Sequence, residues 1–419
     1  MHQFAPRAAI QVTAFFIALW PVWASAGPLT FDAALALAEQ RSAAAQAARA
    51  GLASARERAG AAGQFADPVL RLGVENLPVA GADRYSTARD PQTMKRVGIS
   101  QEWLSGDKRV ARRAAAERAV AREALQARIA AADARLQAAQ AYADAWFAAQ
   151  TLQLTAQTER SLRQELEAAR ARLAGAAGGS VDVLALSAAR GLAEDDAAEG
   201  RQQQRAAALA LQRWVGLPAD DLAPLPDLPE PSEAAFVQSH PAVRALQGDA
   251  DVARQAAVVA ASERAPNWMW EVSVGQRTGY ADMLSVGVSI PLPVAREQRQ
   301  DRETAAKQAL VDKAEAERAE AERAALADYL TLRSDASSLQ ARIDSLRLGV
   351  LLPAQQRSAA ALAAYRSNQA PVASVFDARR ADIDAQRKLL GLQRELTRNR
   401  IQLAFKPVDA ATVLIGAAP

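Results

Sequence analysis

Cysteine is absent from the 419 residues. Its absence excludes disulfides, a thiolate nucleophile and a thiolate metal site. It also leaves no lipid anchor to expect, because that modification needs a cysteine at the mature N-terminus. Histidine is almost absent: His2 lies at the start and His240 stands alone in Ser-His-Pro, while the four methionines are scattered. A metal-binding role draws on clusters of such side chains, so no metal site is expected, and His240 reads as a residue that starts a helix. Aromatic residues make up 5% although apolar residues reach 50%. Most of the apolar content is alanine, which suits long helices packed closely side by side rather than one thick core. Neither sign of charge dominates: 50 basic and 47 acidic side chains are dispersed along the chain, which gives no basic stripe for nucleic acid. There is no HExxH, no Gly-rich phosphate loop and no Ser/His/Asp set that stands out, so neither an enzyme nor a cofactor is expected.

Residues 1–26 read as a secretory signal, with Arg7, an apolar run over 14–23 and Ala24-Ser25-Ala26 as the small-residue cleavage site. That run falls short of the ~20 residues a membrane-spanning helix needs. No later segment reaches that length without charges, so a membrane location would require a β-barrel.

The mature chain reads as two passes of one pattern. A helical segment over 29–63, with Thr30 as its N-cap, is followed by VLRLGVEN and KRVGISQEW, in which apolar and polar residues alternate. A helix over about 107–173 follows; Leu125, Ile129, Ala132, Leu136, Ala139, Ala143 and Trp146 form a heptad seam. GAAGGS breaks it, and a second helix over 181–214 returns as an antiparallel hairpin. After a Pro-rich linker at 217–231 the order repeats: helix, WMWEVSV, LSVGVSI, and a long helix from Arg296 with Leu339, Ile343, Leu346 and Val350 as its seam. Pro353 should kink that helix or mark a junction in it. SNQAP breaks it, and a last helix runs over 372–405 with Leu389, Leu392, Leu396, Asn399 and Leu403 in its seam. The organisation is thus a signal (1–26), a first repeat (27–216), the linker (217–231), a second repeat (232–406) and a tail (407–419).

Each strand presents one apolar face and one Gly, Ser or charged face, which suits lipid on one side and water on the other. Trp103, Trp268 and Trp270 sit near strand ends, as interface aromatics do. Four strands cannot close a barrel, and an open edge in lipid leaves amides and carbonyls without partners. Three chains would supply about twelve strands.

On these features the chain resembles the TolC-like outer-membrane efflux proteins. The resemblance covers the mature chain from about 29 to 407 and includes the hairpin tips. There Val181-Asp182-Val183-Leu184 and Val375-Phe376-Asp377-Ala378 are similar to the family's Val-Asp-Val-Leu-Asp-Ala phrase. ADPVLRLGVENLP, ISQEWLSGDKRVARRAAAER and RTGYADMLSVGVSIPLPV are most similar to the heavy-metal branch, whose members serve cobalt–zinc–cadmium and copper exporters. The resemblance implies a mainly α fold with a small β part. A homotrimer would share a twelve-stranded barrel in the outer membrane of a Gram-negative bacterium, continuing into a long periplasmic α-helical barrel. It also implies docking to a periplasmic adaptor and an RND-type, proton-driven inner-membrane pump, with no chemistry in the channel. Asp377 matches the second Asp of the phrase and Ser374 stands in place of the first; Asp182 matches the first Asp in the other repeat, where Ala185 replaces the second. Three Asp377 carboxylates would ring the entrance and attract cations, although an Asp at a helix start also has a structural explanation in the helix dipole. A latching Arg of some relatives corresponds to Ala370, with Arg366 close enough in sequence to substitute. Gly175, Gly178, Gly179 and Ser180 at the first tip, and Asn368 and Pro371 at the second, are turn formers that would also admit end-on contact with the adaptor. Drug, small-molecule or secreted-protein cargo is an alternative on the same architecture. A soluble periplasmic coiled-coil scaffold is a third reading.

Overall fold

The computed structural model describes residues 28–175, 179–218, 221–367 and 369–408. The expected signal at 1–26 and positions 409–419 of the tail lie outside the described residues. Thr30 caps the first helix as its sequence requires, its Oγ1 accepting the Ala33 amide at 3.3 Å. The single helix expected over 29–63 is two, α1 (Phe31–Arg41) and α2 (Ala43–Ala61). Ser42 causes the break: its Oγ accepts the Ala45 amide at 3.2 Å and so caps a new helix start inside an otherwise Ala-rich run.

The alternating stretches form one antiparallel sheet of β1 (Val69–Glu75), β2 (Met94–Trp103), β3 (Trp268–Gln276) and β4 (Met283–Ser289), in that order. Leu72 pairs with Val97, Val97 with Val274, and Val272 with Val286. The apolar positions of all four strands therefore share one face. That face is open: Leu72, Val97, Val272 and Val286 are 38–71% exposed. The opposite face holds an ionic cluster in which Arg96 of β2 reaches Glu75 of β1 and Glu271 of β3, at 2.9 Å for the latter. Gly98 is required there, because a Cβ would lie 2.6 Å from that of Ser273. β1 and β4 are free edges.

From the sheet the chain enters α3 (Gly106–Ala174), 69 residues and so about 100 Å long, and returns through α4 (Ser180–Val215). The second half comprises the short α5 (Glu233–Gln238), α6 (Pro241–Ser262), β3, β4, α7 (Gln300–Leu346), α8 (Leu352–Arg366) and α9 (Val372–Phe405). The helix expected from Arg296 is preceded by a 3-10 turn over Arg296–Gln298. Pro353 acts as anticipated: it lacks an amide hydrogen and clashes one turn back, and a π-helical turn at Arg347–Leu351 absorbs the defect. The extra residue shifts the helical phase. Val350, expected in the seam, is consequently turned outward, whereas Ile343 and Leu346 are buried against Leu392 and Leu396 of α9.

A belt at mid-height ties the halves together. Phe31, Tyr142, Leu211, Val215, Ile401 and Phe405 form its core, with Phe31 and Tyr142 edge to face at 5.4 Å. The Tyr142 hydroxyl lies 2.7 Å from the carbonyls of both Leu29 and Ala223, and the Leu29 and Leu222 backbones are bridged, so the linker is stitched to the chain start. Burial pushes this phenol up to about 12. A second cluster, Phe236, Tyr329, Leu332 and Leu403, plays the same part in the other half.

Candidate channel entrance at the helix tips

The helices end farthest from the sheet in two tips. Gly175 closes α3, its amide donating to the Ala171 carbonyl at 3.1 Å, and Gly179 precedes α4 as its N-cap with extended backbone. At the other tip Ser367 ends α8 and Pro371 starts α9, where a missing amide hydrogen costs nothing. Gly175, Gly179, Ser180 and Pro371 thus stand at helix ends; Gly178 and Asn368 lie outside the described residues.

Asp377 sits on an exposed face of the second turn of α9, and Phe376 beside it packs onto the first hairpin against a core that contains Leu162, Leu166 and Leu186. Asp377 also lines a cleft of about 760 Å³ between α9 and the α3–α4 hairpin, together with Glu165, Asp196, Arg379 and Asp382. Asp182, Ser374 and Arg366 do not line it. Ser374 is half-buried and spends its hydroxyl on the Pro371 carbonyl at 2.7 Å, shaping the helix start. Asp182 is half-buried in the first turn of α4, and Arg366 is an exposed residue at the end of α8.

Sequence reasoning missed the arginines that join the hairpins. Arg379 of α9 pairs with Glu165 of α3. Arg387 pairs with Asp196 and Glu199 of α4 at 3.0 and 3.4 Å, and Arg394 and Arg398 share Asp144 of α3 at 2.8 and 2.9 Å. The four sit at intervals of eight, seven and four, which keeps them on one helical stripe. That spacing was the available signal, but it does not name partners roughly 190 to 250 positions away. Nearest the tips, the Arg172 guanidinium lies 5.5 Å from the Tyr365 ring. Partly exposed pairs contribute about 0.2–1 kcal/mol each, so the stripe fixes register more than it adds stability. Among the described residues, no group of three or more His, Cys, Asp or Glu is placed to hold a metal ion.

No protein-family model and no curated protein matches the chain. Solved structures do match. CusC, described through its transmembrane channel formation, superposes with a TM-score of 0.73 at 14% identity over 90% of this chain and 91% of that one. The outer-membrane protein VceC of Vibrio cholerae gives 0.69 at 20% identity over 90% and 95%. The CmeC outer-membrane channel of Campylobacter jejuni gives 0.70 at 11% over 99% and 97%. At such identities the likeness is one of architecture, and the chain has the fold of these outer-membrane channel proteins.

Proposed function

We propose that this chain is one third of a homotrimeric, passive outer-membrane exit duct. Three sheets close a twelve-stranded barrel, and the helices of three chains continue as a periplasmic tunnel. The tips receive a periplasmic adaptor, and an RND-type inner-membrane pump supplies the energy. The observation that carries this reading is a four-stranded sheet with two free edges and an open apolar face, set on helices about 100 Å long. In lipid that face is solvated, and only closure with further copies satisfies the edges. The fold shared with the outer-membrane channels supports the same reading.

For the cargo, the proposal is heavy-metal cations, on the resemblance of the quoted strand and strand-to-helix stretches. Asp377 would act at the entrance as a ring of three carboxylates, with the α9 arginine stripe holding it in register. Growth of a strain lacking the gene, with and without a plasmid copy, tests the cargo across copper, silver, cobalt, zinc, cadmium and nickel beside a drug panel. Rescued hypersensitivity to one or two metals supports metal efflux. Sensitivity to drugs alone sinks that cargo and leaves the general duct. Asp377→Asn in planar bilayers should reduce cation preference at zero applied potential, and unchanged selectivity would remove Asp377 from the pore.

A further inference from the structure

The end of the sheet next to the helices carries more than a barrel wall needs. Beyond β4 the alternation of exposed apolar side chains continues through Ile290, Leu292 and Val294, the last two 78% and 95% exposed. Pro291 and Pro293 fill the intervening positions. Having no amide hydrogens, they cannot continue the ladder, and pairing with β3 stops at Ser289. This apolar stretch is therefore free of the sheet. It lies at the same end as Trp103 and Trp268, which face each other across β2 and β3 and are both exposed.

Arginines follow at once. The 3-10 turn and the start of α7, residues 296–302, together with Arg264 near the end of α6 carry four guanidinium groups and two carboxylates, Glu297 and Asp301. Asp301 is divided between Arg264 at 2.9 Å and Arg296 at 3.8 Å, and Arg299 has no ion-pair partner among the described residues. A cavity of about 370 Å³ opens between this turn and the sheet, with Arg264, Arg299, Gln300, Trp268 and Leu292 on its wall. Lys108, Glu263 and Glu102 also border it but are committed elsewhere: Lys108 to Glu263, and Glu102 to the Asn267 amide. Gln300 Oε1 is buried without a hydrogen-bond partner, whereas Arg264 Nε already faces the Asp301 carboxylate at 2.9 Å. Leaving that oxygen unmet costs free energy, and a ligand with a hydroxyl donor would satisfy it while its anionic group meets the unpaired Arg299 on the same wall.

We propose that this cavity holds the headgroup of an anionic phospholipid, its phosphate on Arg264 and Arg299 and its acyl chains along Leu292, Val294 and Trp268. Free phosphate could use the guanidinium groups but not the apolar rim beside them, which is why a lipid is the occupant. The inference rests on the outer-membrane reading and adds to it a lipid subsite at the junction of sheet and helices.

The test is native mass spectrometry of the purified full-length oligomer, exchanged into mixed micelles with equal phosphatidylglycerol and phosphatidylcholine. Phosphatidylglycerol should be retained preferentially, and millimolar inorganic phosphate should not displace it. Arg299→Gln should lower the preference about fivefold, since one basic side chain at an anionic surface is worth about 1 kcal/mol. Arg299→Lys should keep most of it. Where Arg299→Gln does not assemble, wild type is titrated with salt, and the preference should fall as ionic strength rises. Equal retention of the two lipids, an unaffected Arg299→Gln, complete displacement by phosphate or a salt-independent preference overturns the subsite. Flotation of the same wild-type sample with liposomes keeps the two readings apart. Failure to insert refutes the barrel; insertion without anionic preference refutes the lipid site alone.

Discussion

Replacing Lys108 by methionine should loosen the joint between sheet and helices by about 2 kcal/mol. Lys108 is 2% exposed, and its ammonium donates to Glu263 at 2.9 Å and to Asn267 at 2.5 Å. Asn267 in turn donates to Glu102 of β2 at 2.6 Å, and Arg112 also binds Glu263 at 2.8 Å. The chain of contacts therefore runs from β2 through the residue before β3 to α3 and the end of α6. Methionine keeps most of the stem and removes the charge. Orphaning a fully buried charge costs about 3–5 kcal/mol, but Glu263 is partly exposed and keeps Arg112. What is lost is one hydrogen bond between charged groups, about 1.5–3 kcal/mol, and a donor to Asn267, offset in part because no ammonium has to be desolvated. The assay is unfolding of the detergent-solubilised protein followed by helical circular dichroism, on Lys108→Met, Glu263→Gln and the double variant. A coupling of about 1–2 kcal/mol is expected for groups in direct contact. The pH dependence has a definite sign. Burial pushes the Glu263 carboxyl up, but hydrogen bonds from Arg112 and Lys108 outweigh it and hold the group below its ordinary 4.5. Its contribution is present above that value and is lost as pH falls through the lower folded value. The gap between wild type and Lys108→Met should therefore narrow as pH falls below the ordinary carboxylate value and through the lower folded one. Additive single effects, or a Lys108→Met change under about 0.5 kcal/mol, would refute the reasoning.

Other expectations concern the sheet and the mid-height belt. Val286→Lys should destabilise the inserted form by about 2–4 kcal/mol, the cost of a cation on the lipid face. Gly287→Lys, one residue on and facing the other way, should cost far less; equal losses in the folded fraction on unheated gels would reverse the assignment of faces. Gly98→Ala should cost about 1–3 kcal/mol through the close approach of Ser273, whereas Gly73→Ala has nothing within 4 Å to meet and should be near neutral in the same unfolding assay. Burial, with the nearby Lys406, holds the His240 imidazole below its ordinary 6.5 against the pull of Asp328. Stability from the neutral ring is present above 6.5 and lost as pH falls through the lower folded value. Melting temperature should thus drop on acidification from neutral pH, and His240→Gln should flatten that slope.

Local chemistry was the legible part of the sequence. Period-two alternation located all four strands, and Thr30, the Gly-rich break and SNQAP marked turns whose chemistry is carried by a few neighbouring residues. Ser42 was misread because one N-cap inside an Ala-rich run competes weakly with helix propensity. Val350 was misread because a π-helical turn changes the phase on which a heptad reading depends. The joint at Lys108 and the stripe of Arg379, Arg387, Arg394 and Arg398 were invisible for another reason. Their partners lie 151 to 254 positions away, and in a chain with charges on every helix nothing local distinguishes a bridging arginine from a solvated one. The exposed apolar face was legible as a pattern, but its being open on every strand required the sheet register.

The central claim is that β4 of one chain pairs with β1 of the next and that the ring closes at three. Because the chain has no cysteine, paired substitutions give a clean readout. Leu72→Cys on β1 would be combined in turn with Leu284→Cys, Val286→Cys or Val288→Cys on β4. Within one chain β2 and β3 separate these strands by about 14 Å, at ~4.8 Å per strand, beyond the ~7 Å Cα separation that a disulfide can bridge. Oxidation in isolated outer membranes should therefore link different chains, in one register of the three, and give dimers and trimers with nothing larger. Absence of cross-links in every register, or a ladder continuing past three, would contradict the account.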